Sequence, residues 1–152
     1  MMAKLQKKAW VLVADGEKAL FMRNTAGAAH PELEIVRVES QENPRQGEQT
    51  ADRPGRMPDS GAGQFSAMEE PDWHRLAKDR FAAGIAATLN REALKGAFEE
   101  IVLVAPPRTL GELRDQLHEA ATARVCAEIP KTLTNHPLPE IKRRVLDALA
   151  EL

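Results

Sequence analysis

The residues with the most chemical potential are Gly61-Ala62-Gly63-Gln64, at the end of a Gly-, Pro- and Arg-rich stretch. A glycine-rich turn lets backbone approach a bound group closely, because no Cβ stands in the way. Gln64 adds an N–H and a side-chain amide, the donors that stabilise a developing oxyanion. Upstream, Arg45, Arg53 and Arg56 are of the type that contacts RNA phosphates. However, residues 40–71 hold three arginines against six acids (Glu42, Glu48, Asp52, Asp59, Glu69 and Glu70), so the stretch is net acidic. Solvated loop charges are the plainer account of those arginines. His74, Lys78, Arg75 and Arg91 extend the cationic set onto the following segment, although charge on an exposed helix face is ordinary.

Other reactive residue types form no constellation. Asp15 closes a central apolar run, a position at which a metal-binding carboxylate would sit. A two-metal nuclease needs several converging carboxylates, and the other strand-like runs end at Arg23, Glu39, Ala105 and Ile129. Asp15 is therefore read as turn chemistry. His30, His74, His118 and His136 lack ligand spacing, so no metal and no cofactor is assigned. Cys126 has no readable base and is expected to be a buried, inert strand thiol. No phosphate-binding loop or dinucleotide fingerprint is present. Trp10 and Trp73 are read as core, and Lys142-Arg143-Arg144 as the solvent face and C-terminal half of a helix, where cations suit the dipole.

The elements that must position these residues follow from periodicity. Residues 9–14 are a continuous apolar run, as in a strand buried on both faces. Asp15-Gly16 signals a two-residue hairpin with Gly at positive φ, and residues 19–23 form the return strand. Residues 32–39 alternate as a third, half-exposed strand. A connection spanning 40–71 follows, longer than compact domains usually tolerate without function or flexibility. Residues 72–94 are expected to be helical, with Trp73, Leu76, Ala77, Phe81, Gly84, Ile85, Thr88 and Leu89 on one face. Residues 101–105 form a buried strand. Thr109 and Glu112 fit a capping box for a helix buried through Leu110, Leu113 and Leu117. Residues 124–129 form a fifth strand, and a last helix begins near Pro139 with Ile141, Val145 and Leu149 inward. This order predicts an α/β fold: a ribonuclease H-like mixed five-stranded sheet, order 3-2-1-4-5, with about three helices.

The chain has 152 residues with 43% hydrophobic content, which suits a single domain over 1–152. Net charge is −2, so no global field draws it to nucleic acid or anionic lipid. A lone cysteine suits a reducing compartment. No run approaches the ~20 apolar residues of a membrane span, and the lysine-flanked apolar run near the start is too short for a signal peptide. These features point to the cytoplasm and away from membrane insertion.

The chain resembles the bacterial host-attachment protein family. The resemblance is carried by residues 10–16 (Trp-Val-Leu-Val-Ala-Asp-Gly) with Ala19-Leu20-Phe21 after them, and by Asp52-Arg53-Pro54-Gly55-Arg56 and Phe81-Ala82. It continues in residues 101–107 (Ile-Val-Leu-Val-Ala-Pro-Pro), Leu110-Gly111-Glu112-Leu113-Arg114, Lys131-Thr132-Leu133-Thr134 and Pro137. That family is similar to the middle domain of archaeal and eukaryotic peptide-chain release factors. The similarity implies the same ribonuclease H-like core, and a loop that carries Gly-Gly-Gln into the ribosomal peptidyl-transferase centre. Here the matching triplet is Ala62-Gly63-Gln64, and Phe65 interrupts the Gln-Ser-Ala that would follow. The resemblance thus implies a bacterial, translation-related protein with ribosome, tRNA or rRNA as candidate partners. The expected role is a non-catalytic binding module acting through residues 40–71, with Arg45, Arg53, Arg56, Gly61, Gly63, Gln64, His74 and Lys78 as its contacts. The alternatives are peptidyl-tRNA ester hydrolysis with Gln64 as the catalytic residue, and a protein-interaction role supporting attachment to host cells.

Overall fold

A computed structural model describes the backbone of residues 5–41 and 60–152, and the side chains of 5–41 and 75–152. Five strands form one sheet: β1 (Trp10–Ala14), β2 (Lys18–Asn24), β3 (Leu33–Ser40), β4 (Ile101–Val104) and β5 (Val125–Ile129). Their spatial order is β3-β2-β1-β4-β5, as the element order predicts. The β1–β2 and β2–β3 pairs are antiparallel, and β1–β4 and β4–β5 are parallel. Every residue of β1 and β4 is buried, because these central strands are covered on both faces.

Among the described residues, four helices pack on the sheet: α1 (Ser60–Leu94), α2 (Pro107–Gln116), the one-turn α3 (Glu119–Thr122) and α4 (Leu138–Ala150). Trp10, Leu12, Phe21, Leu103 and Phe98 form one core with Phe81, Ile85 and Leu89 of α1 and Leu110 and Leu113 of α2. On the other face, Val11, Val13, Met22, Val102 and Val104 meet Ile141, Val145 and Leu149 of α4, with Leu5 and Leu133. The result is a three-layer sandwich with two separate cores.

Several local expectations are corrected. α1 starts at Ser60 rather than at residue 72. Ala62, Gln64, Ala67, Met68, Glu69 and Glu70 are good helix formers, and they carry the helix back across Pro71. Its buried stripe is Ala77, Phe81, Ala82, Ile85, Ala86, Leu89 and Ala93. Leu76 and Gly84 lie off it, exposed. The small alanines set the facing stripe, which a search for large apolar residues underweights. Thr109 does not cap α2: Pro106 is the N-cap, without a side-chain hydrogen bond, and Thr109 is a buried helix residue. With Pro106 as cap, the helix starts at Pro107, three residues earlier than a Thr109 cap would place it, since the fixed φ and missing N–H of Pro107 suit the first turn. Residues 142–144 fall in the first half of α4, where Glu140 receives Arg143 and Arg144 and Glu32 receives Lys142. The triplet is matched by acids, not by the helix C-terminus. Cys126 is exposed rather than buried, because β5 is an edge strand.

The β1–β2 connection is also different. It has three residues, Asp15, Gly16 and Glu17, and Gly16 is not among the glycines at positive φ, Gly27 and Gly96. Asp15 Oδ1 accepts from the N–H groups of Glu17 and Lys18, both at 2.7 Å, so the aspartate side chain shapes the turn.

Candidate functional site

The carboxyl ends of β1, β4 and β5 share one edge of the sheet, the usual ligand-binding edge of an open α/β sheet. Asp15 leaves β1 there. Its Oδ2 accepts from the Thr134 hydroxyl at 2.5 Å, tying the segment after β5 to the β1–β2 turn. Both carboxylate oxygens are thus engaged by protein donors. Among the described residues, no group of three or more His, Cys, Asp or Glu could hold a metal ion.

Gly16 lets Lys78 pass close. A Cβ at this position would lie 2.7 Å from Lys78 Cγ and 2.8 Å from Lys78 Cδ, so a larger residue would push the exposed lysine stem aside. The Lys78 stem therefore crosses the turn, and its ammonium has no ion-pair partner among the described residues. Asp79, next along α1, pairs with Arg108 at the start of α2 at 3.2 Å. Thr109 and Leu110 of that same first turn are buried.

Gln41 completes the cluster. Its N–H donates to Glu17 O at 2.8 Å, and its Nε2 donates to Ala77 O at 2.8 Å. Two residues earlier, Glu39 accepts from Thr88 of α1 at 2.9 Å and from Arg37 at 2.6 Å. The end of β3, the Asp15–Glu17 turn and the Ala77–Lys78 step of α1 are therefore held together. Gln41 is the last described residue before 42–59, the stretch that carries Arg45, Arg53 and Arg56.

Of the residues expected at a site, only Lys78 is placed with its side chain, beside Gly16. Gly61, Gly63 and Gln64 lie in the first turns of α1 instead of in a loop ahead of it. His74 lies on the same helix, its side chain outside the described residues. Arg45, Arg53 and Arg56 fall outside the described residues altogether. Arg75 is exposed on α1, one turn before Lys78. Sequence reasoning missed the contacts of Gln41 and Thr134 and the passage of Lys78 beside Gly16. The Asp15–Thr134 contact joins residues far apart in the chain and leaves no local signal.

A cavity of about 480 Å³ opens at the opposite, amino-terminal edge of β1 and β4, lined among others by Lys7, Lys8, Gly96, Phe98, Glu99 and Glu100. Its mixed charges converge on no common ligand chemistry, and it is remote from the Gln41 junction.

The residues 8–145 match the family described as bacterial archaeo-eukaryotic release factor family 12. The chain belongs to this family. The match covers the sheet, α1 and the whole of residues 40–71. A release-factor relation is therefore shown, whereas the host-attachment resemblance gains nothing from this match. No curated protein matches the chain. Among solved structures, an archaeal translation termination factor, aRF1, is similar at 10% identity with a TM-score of 0.47, covering 94% of this chain and 39% of that one. A structure described as an archaeal protein is similar at 12% identity with a TM-score of 0.46, covering 94% and 38%. The chain thus spans about two-fifths of the length of the termination factor it matches.

Proposed function

We propose that this family member is a non-catalytic binding module that associates with the ribosome or with RNA through residues 40–71 and the adjoining start of α1. The observation that carries the reading is the family match over residues 8–145, which includes that stretch. Its contacts are proposed to be Arg45, Arg53, Arg56, Gly61, Gly63, Gln64, His74 and Lys78. Two features support docking without chemistry. The triplet reads Ala62-Gly63-Gln64, so one backbone position lacks glycine's freedom to approach a substrate. In addition, Gln64 lies in α1, where a residue four past the helix start donates its N–H to the carbonyl of Ser60. That N–H is then not available to an oxyanion. The Lys78 ammonium beside the turn has no ion-pair partner among the described residues and suits phosphate contact.

A second reading, ester hydrolysis of peptidyl-tRNA by Gln64, rests on the same family relation and on the retained Gly63-Gln64 pair. The host-cell attachment reading rests on the sequence resemblance alone. Among the described residues, no helix is long and apolar enough to cross a membrane.

Co-sedimentation with ribosomes at low and raised salt tests the proposal. Binding is expected to weaken with salt, as counterion release requires, and with Arg53→Ala plus Arg56→Ala. Absence of co-sedimentation at low salt would sink it. Release of peptide from a peptidyl-tRNA complex, lost in Gln64→Ala, would favour the second reading instead.

A further inference from the structure

β3 exposes a cluster of apolar side chains: Ile35 at 42%, Val36 at 37% and Val38 at 54%. It is also an outer strand of the sheet, so the backbone groups on its far side lack a strand partner among the described residues. Open edges of this kind template pairing with another chain unless something blocks them. Here a bulge changes what the edge presents. Phe21 opposes Arg37 and Met22 opposes Ile35, which leaves Val36 as the extra residue.

Thr25 N–H donates to Glu32 O at 2.9 Å, and Gln41 N–H donates to Glu17 O at 2.8 Å. Hydrogen-bonded pairs recur at every second position of an antiparallel ladder. Glu32 and Glu34 before the bulge, and Arg37, Glu39 and Gln41 after it, therefore turn their backbone groups toward β2. Those of Leu33, Ile35, Val38 and Ser40 point outward. The side chains sort the same way: Glu34 bonds Arg23 and Glu39 bonds Thr88 on the α1 face, whereas Leu33 joins the core on the α4 face.

In a regular strand, Glu34 and Arg37 would lie on opposite faces, being an odd number of residues apart. The extra residue brings them to one face. β3 then reads the same in both directions about the Ile35–Val36 bulge, with Glu34 and Arg37 one step to either side on the α1 face. Leu33 and Val38 lie two steps to either side on the α4 face, both with outward backbone groups.

We propose that β3 pairs antiparallel with β3 of a second copy of this chain, across a two-fold axis at Ile35–Val36. Glu34 of each copy then opposes Arg37 of the other, and Leu33 opposes Val38. The two sheets become one continuous sheet with no β3 edge left open. The same patch serves both copies, as a closed two-fold dimer demands. Charge complementarity sets the occupant: another protein's strand would have to reproduce this Glu/Arg order, whereas a second copy supplies it automatically. The intrachain pairs Arg23–Glu34 (3.2 Å) and Arg37–Glu39 (2.6 Å) extend each new contact into a row of alternating charge.

Sedimentation velocity on the full chain over a range of concentrations tests this, with circular dichroism as a check on folding. The wild type is expected to dimerise. Arg37→Glu alone, or Glu34→Arg alone, turns two attractive cross-strand pairs into repulsive ones and should weaken the dimer about tenfold. The double variant Glu34→Arg with Arg37→Glu should recover self-association, although it breaks the intrachain pairs. A wild type that stays monomeric at all concentrations overturns the proposal. So does a dimer indifferent to the single changes, or a double variant no better than the singles.

Discussion

Asn24 shows how one polar residue can organise a region. It is fully buried at the end of β2. Its Nδ2 donates to the carbonyls of Leu5 (3.0 Å), Gln6 (3.2 Å) and Gly27 (3.1 Å). Its Oδ1 accepts from the N–H groups of Ala26 (3.1 Å), Gly27 (3.3 Å) and Glu32 (3.1 Å). Asn24→Ala strands several buried backbone groups and is expected to cost about 3 kcal/mol in urea unfolding. Asn24→Asp should be no milder, because a carboxylate oxygen then faces three carbonyls. Nothing in the sequence distinguishes this asparagine from a surface one, since its partners come from separate segments. Cys126 carries the reverse lesson. It is exposed, yet partial desolvation and then the Glu100 carboxylate push its thiol above the ordinary value. Both effects disfavour the thiolate, so alkylation of Cys126 should lag behind a free cysteine and accelerate only at higher pH. Alkylation as fast as that of a free thiol at mildly alkaline pH would contradict this.

At the scale of elements, α1 carries the most consequence. Its 35 residues extend about 52 Å, far beyond the length of β1, which has five residues. Pro71 sits inside it and cannot donate to the carbonyl four residues before. Pro71→Ala should therefore raise helical content, seen as a stronger far-ultraviolet helix signal. An unchanged signal would mean that the proline imposes no cost there. Strand existence and order were legible because the periodicities are clean: continuous in residues 10–14 and 101–104, and alternating near residues 33–40. The start of α1 was not, because Gly61, Gly63 and Pro71 are read as breakers while alanine and glutamate propensity carries the helix through. The β3 bulge was hidden for a related reason. Ile35 and Val36 look like one step of an alternating strand, and only the pairing with β2 reveals the extra residue. The site was the least legible part, since Gln41, Gly16, Lys78 and Thr134 come from four segments with no common motif.

At the scale of the molecule, the two cores and the five-stranded sheet hold the junction of Gln41, the Asp15–Glu17 turn and Lys78; Gln41 precedes residues 42–59 in the sequence. The family relation supplies the reason to look for translation machinery as its partner. Lys78→Glu reverses the charge of an exposed cation at this junction without touching the core. It should weaken ribosome association and reduce its salt dependence, while leaving thermal unfolding unchanged. The most direct test of the central claim is co-sedimentation of the wild-type chain with ribosomes at low salt, repeated at raised salt. The account predicts a bound fraction that falls as salt rises and falls again in the Arg53→Ala, Arg56→Ala variant. A chain that remains wholly in the supernatant at low salt would contradict it.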